Sequence, residues 1–146
     1  MIPLPLIFLL LLSIAIILLL VLRFLPKPPS SASSNLDVGS SMTIGSREIQ
    51  EDEVGTLATT AGLLAVLADG MGKEFGARIA SRTAVGTFLD LFRDYNAFDN
   101  PQYYYRKAFN AANRAILKEF GAEGYGAASV GAAMIQQIWL YYAVVG

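Results

Sequence analysis

Leu63-Leu64-Ala65-Val66-Leu67-Ala68-Asp69-Gly70-Met71-Gly72 decides how this chain folds. Six apolar residues run without a break into an acid and a glycine-rich turn. The pattern predicts a short strand buried on both faces. A carboxylate at the end of such a strand is held rigidly, which suits a metal ligand. Upstream, Arg47, Glu51 and Asp52 form a second cluster. A guanidinium fork suits a phosphate, and clustered oxygen ligands suit a hard divalent cation. Together the two clusters suggest chemistry on a phosphate ester.

Composition narrows the chemistry. At 146 residues the chain has room for at most one domain. With 11 Lys and Arg against 12 Asp and Glu it is near neutrality, and no basic block argues for nucleic acid. Cysteine is absent, which excludes disulfides, thiolate metal sites and cysteine nucleophiles. Histidine is absent too, which removes imidazole zinc sites and a histidine general base. Any metal or proton chemistry must use carboxylates, water and backbone oxygens.

Leu4 to Leu22 carries no charge, and Ser13 is its only polar residue. At about 1.5 Å per residue this helix would span roughly the hydrocarbon core of a bilayer. A buried core helix is a poor alternative, because the run has no polar face. A cleaved signal would need a positive start and a small-residue end. Here no Lys or Arg precedes Arg23, and the run exits through Arg23-Phe24-Leu25-Pro26-Lys27. A retained anchor over residues 1–25 is therefore expected. Arg23 and Lys27 place the C-terminal portion in the cytoplasm by the positive-inside rule. Residues 26–40, rich in Pro and Ser, read as a tether. A folded domain is expected over 41–146.

Within that domain, Met42-Thr43-Ile44 and Val54 to Thr60 are weak strand candidates. Ala77, Ala80, Ala84, Phe88 and Leu91 recur at helical spacing. A second helix is capped at Asp99-Asn100-Pro101, carries Tyr105, Phe109, Ala112, Ile116 and Phe120 on one face, and stops at Gly121. Ala127–Ile135 and Ile138–Val145 read as two strands joined tightly at Gln136-Gln137. Of Tyr103-Tyr104-Tyr105, one ring is expected to pack inward. Trp139 and Tyr141-Tyr142 are read as strand packing. Val144-Val145-Gly146 closes on an apolar strand edge, an unusual end for a self-contained domain.

This order of strand, Arg47-x-x-x-Glu51-Asp52, strand, Asp69-Gly70-Met71-Gly72, two helices and a hairpin resembles the metal-dependent serine/threonine protein phosphatases of the protein phosphatase 2C type, in their bacterial form. The similarity runs from about Met42 to Gly146. It implies an α+β fold, the N-terminal half of a four-layer αββα sandwich, here preceded by one transmembrane helix. It also implies two Mn2+ or Mg2+ ions and a metal-activated water that hydrolyses phosphoserine or phosphothreonine in a protein substrate. By resemblance Asp69 would bridge both ions, Glu51 would bind one, and the Gly70 carbonyl would complete that shell. Asp52 would hold outer-shell waters, and Arg47 would grip phosphate oxygens, where lysine lacks the planar fork.

The sequence departs from the family where Lys73-Glu74 follows Gly72 and where Ala127-Ala128-Ser129 opens the hairpin. The acids that complete the second metal in the family would lie beyond Gly146, so little turnover is expected of these residues alone. Taken singly, each signal has a plain reading: a solvated acid pair, a turn, a surface cation. Taken in order, they favour the metal-phosphate reading. The expectation is thus a membrane-anchored phosphoprotein phosphatase, single-pass in the cell membrane, with its domain cytoplasmic. The alternative is a non-catalytic regulatory or phosphate-sensing membrane protein on half of the phosphatase scaffold. Oligomeric state is left open by the sequence.

Overall fold

The computed structural model describes residues 8, 12–20, 36–46, 48–73, 75–121 and 125–146. The chain divides into two compact units, Met1–Ser30 and Ser31–Gly146. In the first unit, residues 12–20 form a helix, α1, whose Leu and Ile side chains are exposed. Among the described residues no helix is long and apolar enough to cross a membrane. Much of the expected anchor, and the tether up to residue 35, lies outside the described residues.

The second unit is α+β. Strands β1 (Glu53–Thr59) and β2 (Gly62–Gly72) form a hairpin. Helices α2 (Gly76–Asp94) and α3 (Pro101–Phe120) follow, and then the hairpin β3 (Gly126–Gln136) and β4 (Trp139–Val145). The four strands make one antiparallel sheet in the order β1-β2-β3-β4. The two helices lie between β2 and β3 in sequence and cover one face of the sheet.

Period-two alternation sets that inner face. Leu64, Val66 and Ala68 of β2 and Val130, Ala132 and Met134 of β3 are buried against Ala84, Phe88 and Phe92 of α2. The alanines of α2 let its axis approach the sheet closely, and its three- and four-residue spacing keeps them on one stripe. Phe88 is fully buried and meets the Phe109 and Tyr104 rings edge-on, with centroids 5.0 and 6.4 Å away. Burying such a ring contributes about 2–3 kcal/mol. The Tyr104 hydroxyl donates to the Phe88 carbonyl at 2.8 Å, tying α3 to α2. Asn100 caps α3, its side-chain oxygen accepting from the Tyr103 N–H at 2.9 Å, with Pro101 at the first turn. Gly121, at φ 62°, ends it.

Several expectations need correction. Residues 42–44 form no strand: among the described residues none pairs with them. β2 is not buried on both faces along its length: Leu63 is buried, but Leu67 on the same face is 56% exposed, since the helices cover the opposite side. Gly70-Met71-Gly72 is no turn; it continues β2, paired with Ala128, Ala127 and Gly126. The β3–β4 turn is Gln137-Ile138, and Gln136 pairs with Trp139 instead. Gln137 supplies the positive φ, 55°, that a two-residue hairpin requires. Two tyrosines pack inward, Tyr104 and Tyr105, because adjacent residues straddle the broad contact α3 makes with α2 and the sheet. Trp139 and Tyr142 are exposed on β4, so neither packs in the core.

Candidate functional site

The site grows from the register of β1 on β2. Glu53 pairs with Ala68 at the start of the ladder. Continued one residue outward, that register sets Asp52 across from Asp69.

Gly70 explains why the chain before β1 stays close. A Cβ built on Gly70 would lie 2.5 Å from the Glu51 carbonyl oxygen and 2.3 Å from that of Ala77. The backbone of residue 51 therefore presses on β2, with the start of α2 crowding the same glycine. Only glycine admits both approaches.

Glu51, Asp52 and Asp69 line one open cavity of about 460 Å3, with Thr43, Gln50 and Leu67 among the other residues on its wall. Glu51 and Asp52 are half-buried and Asp69 is exposed. Asp69 and Leu67 share the sheet face that the helices leave bare, so the cavity opens away from the helical layer. Arg47 lies outside the described residues. Glu53, next in sequence to the acid pair, is taken by a salt bridge to Arg82 at 3.2 Å and faces α2.

Sequence reasoning placed three acids and Gly70 together but missed Thr43, Gln50 and Leu67. Leu67 was legible from alternation, since it stands two residues before Asp69. The other two come from a segment without regular structure, where no period exists to read.

The donor set is all oxygen, which fits a hard divalent cation. Among the described residues, however, no three acidic side chains gather closely enough to hold a metal ion by themselves. A cation here would draw on main-chain oxygens and water as well as carboxylates.

Two solved structures share this arrangement of strands and helices. One is the Mycobacterium tuberculosis serine/threonine phosphatase PstP/Ppp, with TM-score 0.57 and 24% identity, over 68% of this chain and 42% of that one. The other is the S. agalactiae serine/threonine phosphatase, with TM-score 0.61 and 23% identity, over 75% of this chain and 46% of that one. The fold is protein phosphatase 2C-like. The chain spans less than half the length of either phosphatase. No protein-family model matches the sequence, and no curated protein is significantly similar to it. In the phosphatase-like scaffold the cavity of Glu51, Asp52 and Asp69 sits at the end of β2 and the approach to β1, on the bare face of the sheet.

Proposed function

We propose that this chain belongs to a metal-dependent phosphoprotein phosphatase, anchored in the cell membrane with its domain in the cytoplasm. One observation carries the reading: Glu51, Asp52 and Asp69 line a single cavity on a phosphatase-like scaffold. Glu51 and Asp69 side chains with the Gly70 carbonyl would hold Mn2+ or Mg2+. When bound, the cation would supply an ionised water near neutral pH and screen the phosphate charge. Asp52 orients water at the cavity wall, and Arg47 grips the phosphate with its fork. Gly70 keeps the Glu51 main chain against β2 and so sets the spacing between the acids. No histidine base is needed by this scheme, and none exists.

The same reading covers the rest of the molecule. The bare sheet face, with Leu67 and Val144 exposed on it, is the face a second sheet would cover in a four-layer αββα sandwich. The uncharged run around α1, followed by Arg23 and Lys27, supports a single-pass anchor over residues 1–25 with a tether to residue 40.

Mn2+ titration of the full chain in detergent, followed by electron paramagnetic resonance, tests the site. We expect saturable binding, and a loss of affinity of about 100-fold in Asp69→Asn, since even outer-sphere partners are worth about 10–100-fold. Binding that Asp69→Asn leaves unchanged would refute the assignment. The alternative is a non-catalytic phosphate-sensing protein on the same scaffold. That reading predicts phosphate binding that does not depend on Mn2+.

A further inference from the structure

Helix α2 touches both chain segments that carry the acids. At its start, the Ala77 carbonyl oxygen lies 2.3 Å from where a Cβ on Gly70 would stand, one residue after Asp69. Further along, α2 runs over the inner face of β1. A Cβ on Gly55 would lie 2.6 Å from Val85 Cγ1 and 2.9 Å from Leu89 Cδ1. Arg82 precedes Val85 by one helical turn, so the same side of α2 carries it over Glu53. The Arg82 Nε donates to Glu53 Oε2 at 3.2 Å. Glu53 pairs with the fully buried Ala68, which sets its side chain on the helical side of the sheet. Glu53 is also the first residue of β1, and residues 50–52 before it have no regular structure. Arg82 therefore grips the chain where the β1–β2 ladder ends and the acid pair begins.

We propose that Arg82 is a positioning residue for the acidic cavity: by holding Glu53 on the helical side of the sheet, it turns Asp52 to the bare side, toward Asp69. This role rests on the cation-site reading above, and adds to it a residue outside the cavity that sets its geometry. Alternation supplies the reason. Successive side chains of an extended chain point to opposite faces, so Glu53 drawn toward α2 sends Asp52 to the face that Leu67 and Asp69 share. The β1–β2 ladder begins only at the pair Glu53 and Ala68, so ladder pairing by itself does not orient residue 52. Arg82 and Glu53 are not among the residues that line the cavity, and neither acts as a ligand. Their side chains are 58% and 28% exposed, a setting in which an ion pair adds little to overall stability. The bridge thus fixes a local orientation while the apolar core holds the fold together. Because 29 positions separate the two residues, no local pattern in the sequence joins them.

Arg82→Met tests the role, since methionine keeps a long unbranched stem and the helix propensity while removing the charge. Two measurements are made on the full chain in detergent: Mn2+ affinity by electron paramagnetic resonance, and metal-free amide hydrogen exchange at residues 51–53. Simple charge and positioning predict opposite signs. Removing a cation near the acids would tighten Mn2+ binding by Coulomb attraction, whereas losing the orientation of Asp52 weakens it. We expect Kd to rise about tenfold in Arg82→Met, the low end of the loss when partners of metal ligands are removed. Exchange at residues 51–53 should quicken, with the middle of β2 unchanged as a check that the fold is intact. The double variant Glu53→Arg with Arg82→Glu restores a pair at unchanged net charge, and should recover most of both effects. Unchanged or tighter Mn2+ binding in Arg82→Met, unaltered exchange at 51–53, or a double variant as weak as the single one would each overturn the proposal. Asp69→Asn separates the two readings. If the unmodified chain binds no Mn2+, or its binding survives Asp69→Asn, the cation site fails and the positioning role falls with it. If Asp69→Asn abolishes binding and Arg82→Met does not weaken it, the positioning role alone fails.

Discussion

Gly70→Ala is the sharpest perturbation available, because its new methyl would meet main chain on two sides. The Cβ would lie 2.3 Å from the Ala77 carbonyl oxygen, 2.7 Å from its carbon and 2.5 Å from the Glu51 oxygen. Ordinary carbon-to-oxygen contact begins near 3.3 Å, so each segment must move by roughly 1 Å. Neither neighbour is a flexible side chain that can swing away. Overpacking of this kind costs about 3 kcal/mol, and the smaller entropy of the unfolded alanine chain returns somewhat under 1 kcal/mol. The net loss of about 2 kcal/mol should lower Tm by about 8–16 °C for a domain of this size. Gly86→Ala is the matched control: it lies within α2 with nothing within 4 Å of its added Cβ. There the same substitution should stabilise by about 0.8–1 kcal/mol through helix propensity. Thermal unfolding of the two variants, followed by near-ultraviolet circular dichroism, reads both signs. If Gly70→Ala melts within 2 °C of the parent, the account of how residue 51 is held against β2 is wrong.

Other expectations concern the core, the cap and the buried tyrosines. Phe88→Ala empties the centre of the aromatic cluster and should cost about 3–5 kcal/mol, measured by urea unfolding; a loss below 1 kcal/mol would contradict the packing described. Asn100→Ala removes the acceptor for the Tyr103 N–H and should cost about 1 kcal/mol, whereas Asn100→Ser should recover most of it. Burial pushes the Tyr105 hydroxyl from 10.0 up to about 12 and raises Tyr104 further still. The folded chain therefore holds these protons more tightly than the unfolded chain. Stability is fully present below pH 10 and is lost as pH rises through 12 and beyond. The part of the phenolate absorbance that belongs to Tyr104 and Tyr105 should rise together with unfolding, and ionisation of these two at pH 10 in a still-folded chain would refute this.

Much of the molecule was legible in local chemistry. Asn100-Pro101 and Gly121 marked both ends of α3, because a cap and a φ-restricted first turn are properties of a few adjacent residues. The alanine stripe of α2 was visible as a period. So were the acids at 51, 52 and 69, though not the cavity they share. Errors arose where a partner decides the outcome. Six apolar residues in β2 look alike whether one face or two are covered; only the placing of both helices on the same side leaves Leu67 bare. Gly70-Met71-Gly72 has the composition of a turn, yet ten consecutive pairs with β3 hold it extended. Tyr104 and Tyr105 both went inward because α3 meets α2 with one and β4 with the other, through hydroxyls bonded to Phe88 and Tyr141.

The residues by themselves determined which chemistry this protein is equipped for: oxygen ligands without histidine or cysteine, and an uncharged run long enough for a bilayer. Tertiary structure alone decided that Asp52 and Asp69, 17 positions apart in the chain, face one cavity, and that one side of the sheet remains bare. The physical reason is that side-chain type is carried by each residue separately. Proximity and burial depend on strand register and on which face the helices happen to cover.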